Sequence, residues 1–141
     1  MNPKTPDTNK RNWLIPLTLI GANVILILWE WSALPEVLPA HYDLEGNASG
    51  TMPRSILLLY PLLSLVVCLI AHGIAHIKHK LQKGLIILTC GCSLTLLSST
   101  LVTLTSGKMP IFMLAEPIIL LVALIAAILS FRKAYKSIDS K

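Results

Sequence analysis

The chain has 141 residues, 54% of them apolar and only 13% charged, with a mean hydropathy of +0.70 and a formal net charge of +5. Ordinary soluble domains carry about twice that share of charge, so the composition excludes a soluble globular fold and points to a membrane protein. The basic excess sorts by loop, which ties it to topology and anionic lipid headgroups and away from nucleic acid.

Four apolar stretches stand out, at about 13–33, 55–77, 84–105 and 111–131. Each matches the roughly 20 residues that a helix rising 1.5 Å per residue needs to cross ~30 Å of hydrocarbon. The expected fold class is therefore an all-α integral membrane protein. It forms a single membrane domain over 1–141, with four transmembrane helices and an ordered extracytoplasmic loop, 34–54, between the first two. All lysines and arginines except Arg54 and Lys108 fall on one side of this arrangement, while Glu30, Glu36, Asp43, Glu45 and Glu116 fall on the other. Positive-inside bias then predicts a multi-pass protein of the cell membrane with both termini cytoplasmic.

The first stretch follows Lys4, Lys10 and Arg11, as a signal peptide would. It is longer than a typical apolar signal core, however, and Trp29-Glu30-Trp31 replaces the small-residue cleavage site. It reads as a retained helix with Trp13, Trp29 and Trp31 as interfacial anchors. Asn23 near its middle needs a partner on a neighbouring helix.

The loop that follows is the only sizeable polar island, with Pro35, Pro39, Pro53, Gly46, Gly50, three acids and His41. Leu34, Val37 and Leu38 stand at i, i+3 and i+4, which predicts one helical turn opened by Pro35 and stopped by Pro39. His41-Tyr42-Asp43-Leu44 then alternates, and Gly46-Asn47 and Ser49-Gly50 are turn signals, so a short extended segment or hairpin lies over the bundle. Imidazole beside Asp43 and Glu45 has the donor types for a divalent metal or an oriented base. No second histidine, HExxH or GxSxG accompanies it on this side, so a structural, hydrogen-bonded His41 is favoured, and no catalytic residue, metal or cofactor is expected. Asn47-Ala48-Ser49 matches the glycosylation sequon, a pattern common by chance.

In the second stretch Pro61 predicts a bend near the loop end. His72, His76 and His79 at i, i+4 and i+7 share one helical face. That spacing suits a metal, but no carboxylate accompanies it and Lys78 and Lys80 flank it, so a basic, lipid-facing end is expected. The third stretch is rich in hydroxyls, among them Thr89, Ser93, Thr95, Ser98, Ser99, Thr100 and Thr103, which suits a close-packed seam. Cys68, Cys90 and Cys92 lack redox or zinc spacing and read as small apolar packing residues. The fourth stretch holds Glu116 followed by Pro117. An acid at depth is a functional candidate by default. Because proline disfavours helix in the preceding residue, an irregular entry over 111–116 is expected, with Glu116 either capping the helix near Pro117 or sharing a polar site with Lys108, Arg54 or the island.

Leu34-Pro35-Glu36, Leu38-Pro39, His41, Asp43, Gly46 and Gly50, followed by a hydrophobic span, resemble the bacterial domain of unknown function 1648. That domain occurs in small membrane proteins and in the N-terminal part of Sdp-type immunity proteins, which protect a bacterium from its own secreted toxic peptide and carry a further C-terminal membrane domain. The resemblance covers roughly Leu34 to Arg54. Asp43 stands where the family pattern often has Asn, and Thr51-Met52-Pro53-Arg54 replaces its usual ending. It implies that Pro35, Pro39, Gly46 and Gly50 shape the loop and that His41 supplies its polar contact, with Tyr42, Asp43 and Glu45 beside it. The leading expectation is a non-enzymatic membrane protein of immunity or regulatory type whose outer loop recognises a toxin peptide or a partner membrane protein. A small transporter or transporter subunit using Glu116 and Asn23, which four helices would require to be a homo-oligomer, is the alternative. A metal-dependent membrane enzyme using His41, Asp43 and Glu45 is the third.

Overall fold

The computed structural model describes residues 13–43, 47–105 and 110–139, with side chains of the last helix described at 115–136. Lys4, Lys10, Arg11, Leu44, Glu45, Gly46 and Lys108 lie outside the described residues. The chain runs through helix α1 (Leu14–Glu30), strands β1 (Val37–Tyr42) and β2 (Ala48–Pro53), and helices α2 (Leu59–Ile77), α3 (Gln82–Leu104) and α4 (Pro110–Asp139). Short 3-10 segments lead into α2 (Arg54–Leu58) and α3 (His79–Leu81).

Among the described residues three helical runs are long and apolar enough to cross a membrane: Arg54–Ile77, His79–Leu104 and Ala115–Lys136, with mean hydropathies of 2.3, 2.0 and 2.1. The apolar helix α1 has 17 residues, a rise of roughly 26 Å, slightly below the hydrocarbon thickness. Turns continue it at the hairpin end, where Ala33 and Leu34 donate to the Glu30 carbonyl at 2.9 and 3.1 Å. Three spanning helices and this shorter fourth thus stand where four spans are expected.

The fold is mostly helical but not all-α, because the island forms a two-stranded antiparallel sheet. Val37 pairs with Pro53, Leu38 with Met52, Pro39 with Thr51, His41 with Ser49 and Tyr42 with Ala48. The helical turn expected after Pro35 is absent; Val37 and Leu38 are already in β1. The physical reason is a competing period: Leu38, Ala40 and Tyr42 alternate onto one face, and Leu38 gains the buried Met52 as its cross-strand partner. Both strands of a two-stranded sheet are edges, so Pro39 costs little there.

Pro61 lies in the first turn of α2, directly after the 3-10 segment, a position that tolerates proline. One other expectation changes. The 111–116 segment is helical rather than irregular: α4 starts at Pro110, the favoured first position, and carries Pro117 inside it.

Helix α3 is the centre of the bundle and contacts α1, α2 and α4. It approaches α4 closely because Gly91 has no Cβ; one placed there would collide with the Ala123 methyl, and one at Gly84 would meet the Phe131 ring. Its hydroxyls turn inward on their own helix: Thr89, Thr95, Thr100, Thr103 and Thr105 each donate to the carbonyl four residues back, at 2.7–3.0 Å. Two apolar clusters form. One contains Trp13, Ile20, Cys68, Ala71, Ala75, Leu85 and Ile86; the other, at the hairpin end, contains Ile27, Leu38, Met52 and Leu57.

Candidate functional site

The hairpin packs on the bundle at two points and is closed on itself at its tip. Leu38 and Met52 bury against Ile27 and Leu57. At its base the Arg54 N–H donates to the Glu36 carbonyl at 2.9 Å, and the Arg54 guanidinium donates to the Leu34 carbonyl at 3.2 Å while lying 5.0 Å from the Trp31 ring centroid. At its tip Asp43 accepts from the Asn47 backbone at 2.8 Å and from the Asn47 amide at 3.0 Å, and its own N–H donates to the Asn47 carbonyl at 3.0 Å. Gly50 has φ +69, the left-handed region in which a side chain is strained, and its position faces the Ala40 methyl.

Fixed in this way, the hairpin helps enclose a cavity of ≈ 400 Å³. β1 contributes Ala40, His41 and Tyr42; α2 contributes Tyr60; α3 contributes Ser99, Val102 and Thr103; and α4 contributes Glu116. The spacing 99, 102, 103 puts three α3 residues on one face. The Glu116 carboxylate is within hydrogen-bonding reach of the Ser99 hydroxyl and close enough to Tyr60 for their charges to interact. Ser99 has one proton and a second acceptor, the Thr95 carbonyl at 3.2 Å, so its bond to Glu116 competes with one inside α3. The Tyr42 Oη is buried with no hydrogen-bond partner, and burial pushes its phenol above the ordinary value of 10.0.

Of the residues expected to form a site, the structure brings His41, Tyr42 and Glu116 together. Asn23 is elsewhere: it is buried and its Oδ1 accepts from the Thr100 hydroxyl at 2.8 Å, joining α1 to α3. Asp43 closes the hairpin tip, and Arg54 holds the base, away from Glu116. Glu45 and Gly46 lie outside the described residues. Pro35 precedes β1 and Pro39 lies within it. Tyr60, Ser99 and Thr103 were not expected as site residues. The i, i+4 pair Ser99 and Thr103, on the end of α3 nearest Glu116 in sequence, was the available signal.

The three histidines do not share one helix. Lys78, at φ -120 and ψ 74, ends α2 before His79. His72 packs edge-on against Trp13, ring centroids 4.9 Å apart, while His76 and His79 are 6.2 Å apart. Trp13 is correspondingly buried at 6% exposure, whereas Trp29 is 80% exposed and Trp31 half-buried. Among the described residues no group of three His, Cys, Asp or Glu side chains could hold a metal ion.

Fold and site together define a helical membrane protein in which a β-hairpin and three helices line an open cavity at one end of the bundle. Residues 18–65 match a family described as Domain of unknown function (DUF1648). This stretch contains most of α1, the whole hairpin and the start of α2, so Ala40, His41, Tyr42 and Tyr60 come from the matched stretch and Ser99, Val102, Thr103 and Glu116 from beyond it. Neither the curated proteins nor the solved structures gave a match.

Proposed function

We propose that the chain is a non-enzymatic recognition protein of the cell membrane, of the immunity or regulatory type, that engages a peptide or a partner membrane protein at the hairpin cavity. The observation that supports it is the shared construction of that cavity: the hairpin and helices α2, α3 and α4 each supply wall residues, so an occupant touching the hairpin also touches the bundle. The charge asymmetry supports an extracytoplasmic hairpin and cytoplasmic termini. The resemblance to Sdp-type immunity proteins supports a secreted toxic peptide as the occupant.

The test is survival of a toxin-sensitive strain producing the chain, challenged with a peptide encoded beside it. Protection that disappears on replacing Tyr42 or Tyr60 with alanine, at unchanged membrane abundance, is the expected result. Lack of protection by the wild type removes the immunity form. A transporter or transporter subunit, assembled as a homo-oligomer, is the second reading, favoured by the presence of Glu116 in the cavity. Proton or ion flux into reconstituted vesicles that depends on Glu116 would support it over recognition.

A further inference from the structure

We infer that the cavity between the hairpin and α2–α4 is a site for a primary ammonium group, with Glu116 as its counter-charge; this rests on the recognition reading above. Among the described residues Glu116 is the only acid lining the cavity, and no lysine or arginine lines it. The nearest described cation of the hairpin, Arg54, is spent on the Leu34 carbonyl and the Trp31 ring. A carboxylate partly removed from water, with no cation beside it among the described lining residues, is costly to keep ionised, and an ammonium ion supplied by a ligand offsets that cost.

The remaining wall groups fit the same ion. An ammonium has three N–H donors and no acceptor. The cavity offers the Glu116 carboxylate as an acceptor, with the Ser99 and Thr103 side chains also in the wall. The Tyr60 ring adds a face that attracts cations. An anionic ligand meets Glu116 with like charge, and a neutral one leaves the carboxylate uncompensated. His41, also in the wall, is exposed on β1, so a ligand entering past the hairpin meets an imidazole before Glu116. A lysine or N-terminus of a peptide and a free amine both supply such an ammonium, and the two sources are separable.

The test uses the full chain in phosphatidylcholine nanodiscs and calorimetry with three probes: acetyl-Ala-Lys-Ala-amide, the same peptide with its lysine acetylated, and n-butylammonium. Saturable binding of the lysine peptide is expected, at least tenfold tighter than its acetylated form. Glu116→Gln removes that preference while helical content by circular dichroism stays unchanged. Glu116→Asp retains part of it, which separates charge from packing. Tighter binding of the lysine peptide than of n-butylammonium assigns the amine to a peptide, and the reverse assigns it to a free amine. Equal binding of charged and acetylated peptides, an unchanged preference in Glu116→Gln, or no saturable binding of the lysine peptide or n-butylammonium up to roughly 10 mM overturns the inference. Protection that needs Tyr42 and Tyr60 but survives Glu116→Gln would leave the recognition reading standing while the ammonium site fell.

Discussion

The Arg54 guanidinium lies 5.0 Å from the centroid of the Trp31 ring and joins the base of the hairpin to the end of α1. The same group donates to the Leu34 carbonyl at 3.2 Å and, at the longer distance of 3.5 Å, to that of Trp31. A partly buried cation–π contact contributes about 1 kcal/mol and a hydrogen bond to a charged donor about 1.5 kcal/mol or more. Arg54→Ala is therefore expected to weaken hairpin docking by about 2 kcal/mol, read as faster amide exchange across β1 and β2. Arg54→Lys loses the planar stacking and recovers only part. Unchanged exchange in Arg54→Ala would show that Leu38 and Met52 hold the hairpin without it.

Gly91 and Gly73 separate packing from helix propensity. A methyl at Gly91 runs into the Ala123 methyl across the α3–α4 contact, whereas one at Gly73 meets nothing within 4 Å. Overpacking of this kind costs about 1–3 kcal/mol, more than the ~1 kcal/mol that alanine gains over glycine in a helix. Unfolding in mixed detergent micelles should find Gly91→Ala destabilised and Gly73→Ala unchanged or slightly stabilised. A stabilised Gly91→Ala would mean that α3 and α4 can separate without loss.

Much of the helical frame was legible because its signal is one-dimensional: apolar length marked all four helices to within a few residues at most ends. The hairpin was only half legible. Alternation from His41 onward is readable, but Leu34, Val37 and Leu38 also satisfy a helical period. What decides between the two is Met52, the cross-strand partner of Leu38, which lies 14 positions away in the sequence. Pro117 misleads for a related reason. Its local preference disfavours helix at Glu116, and yet the helix runs through, with α4 packed along α3 at Ala123.

The Thr100 hydroxyl of α3 donates to Asn23 Oδ1 of α1 at 2.8 Å, a side-chain hydrogen bond between two helices. Thr100 also has its own Leu96 carbonyl as an acceptor at 3.0 Å, so its hydroxyl is not orphaned when Asn23 is removed. A double-mutant cycle with Asn23→Ala and Thr100→Val should therefore give a modest coupling, about 0.6 kcal/mol and below about 2 kcal/mol. Coupling near zero would make the buried contact replaceable by the intrahelical bond.

The site was less legible than the fold. His41, Tyr42 and Glu116 are conspicuous by type, but nothing in the chain order pairs an acid of the fourth helix with a hairpin before the second. That pairing depends on the rotation of α3 and α4 about their axes, and helices that are apolar on nearly every face do not reveal it. Ser99 and Thr103 were visible only as part of a hydroxyl-rich helix whose other members face inward.

Tyr42 provides a reading of the cavity that does not need a ligand. Burial raises its phenol above 10.0 because the phenolate is poorly solvated there. A raised folded-state value means that the fold holds the proton more tightly than the unfolded chain does. The stability this contributes is fully present below pH 10 and is lost as pH rises through the folded value. Ultraviolet difference titration of wild type against Tyr42→Phe should isolate one phenol ionising above 10.0. Since the Oη has no partner, Tyr42→Phe removes an unsatisfied buried group and is expected to leave the fold as stable as wild type or more so. A midpoint at or below 10.0, or a clear loss of stability in Tyr42→Phe, would place the hydroxyl in water or against a partner instead of in the cavity wall.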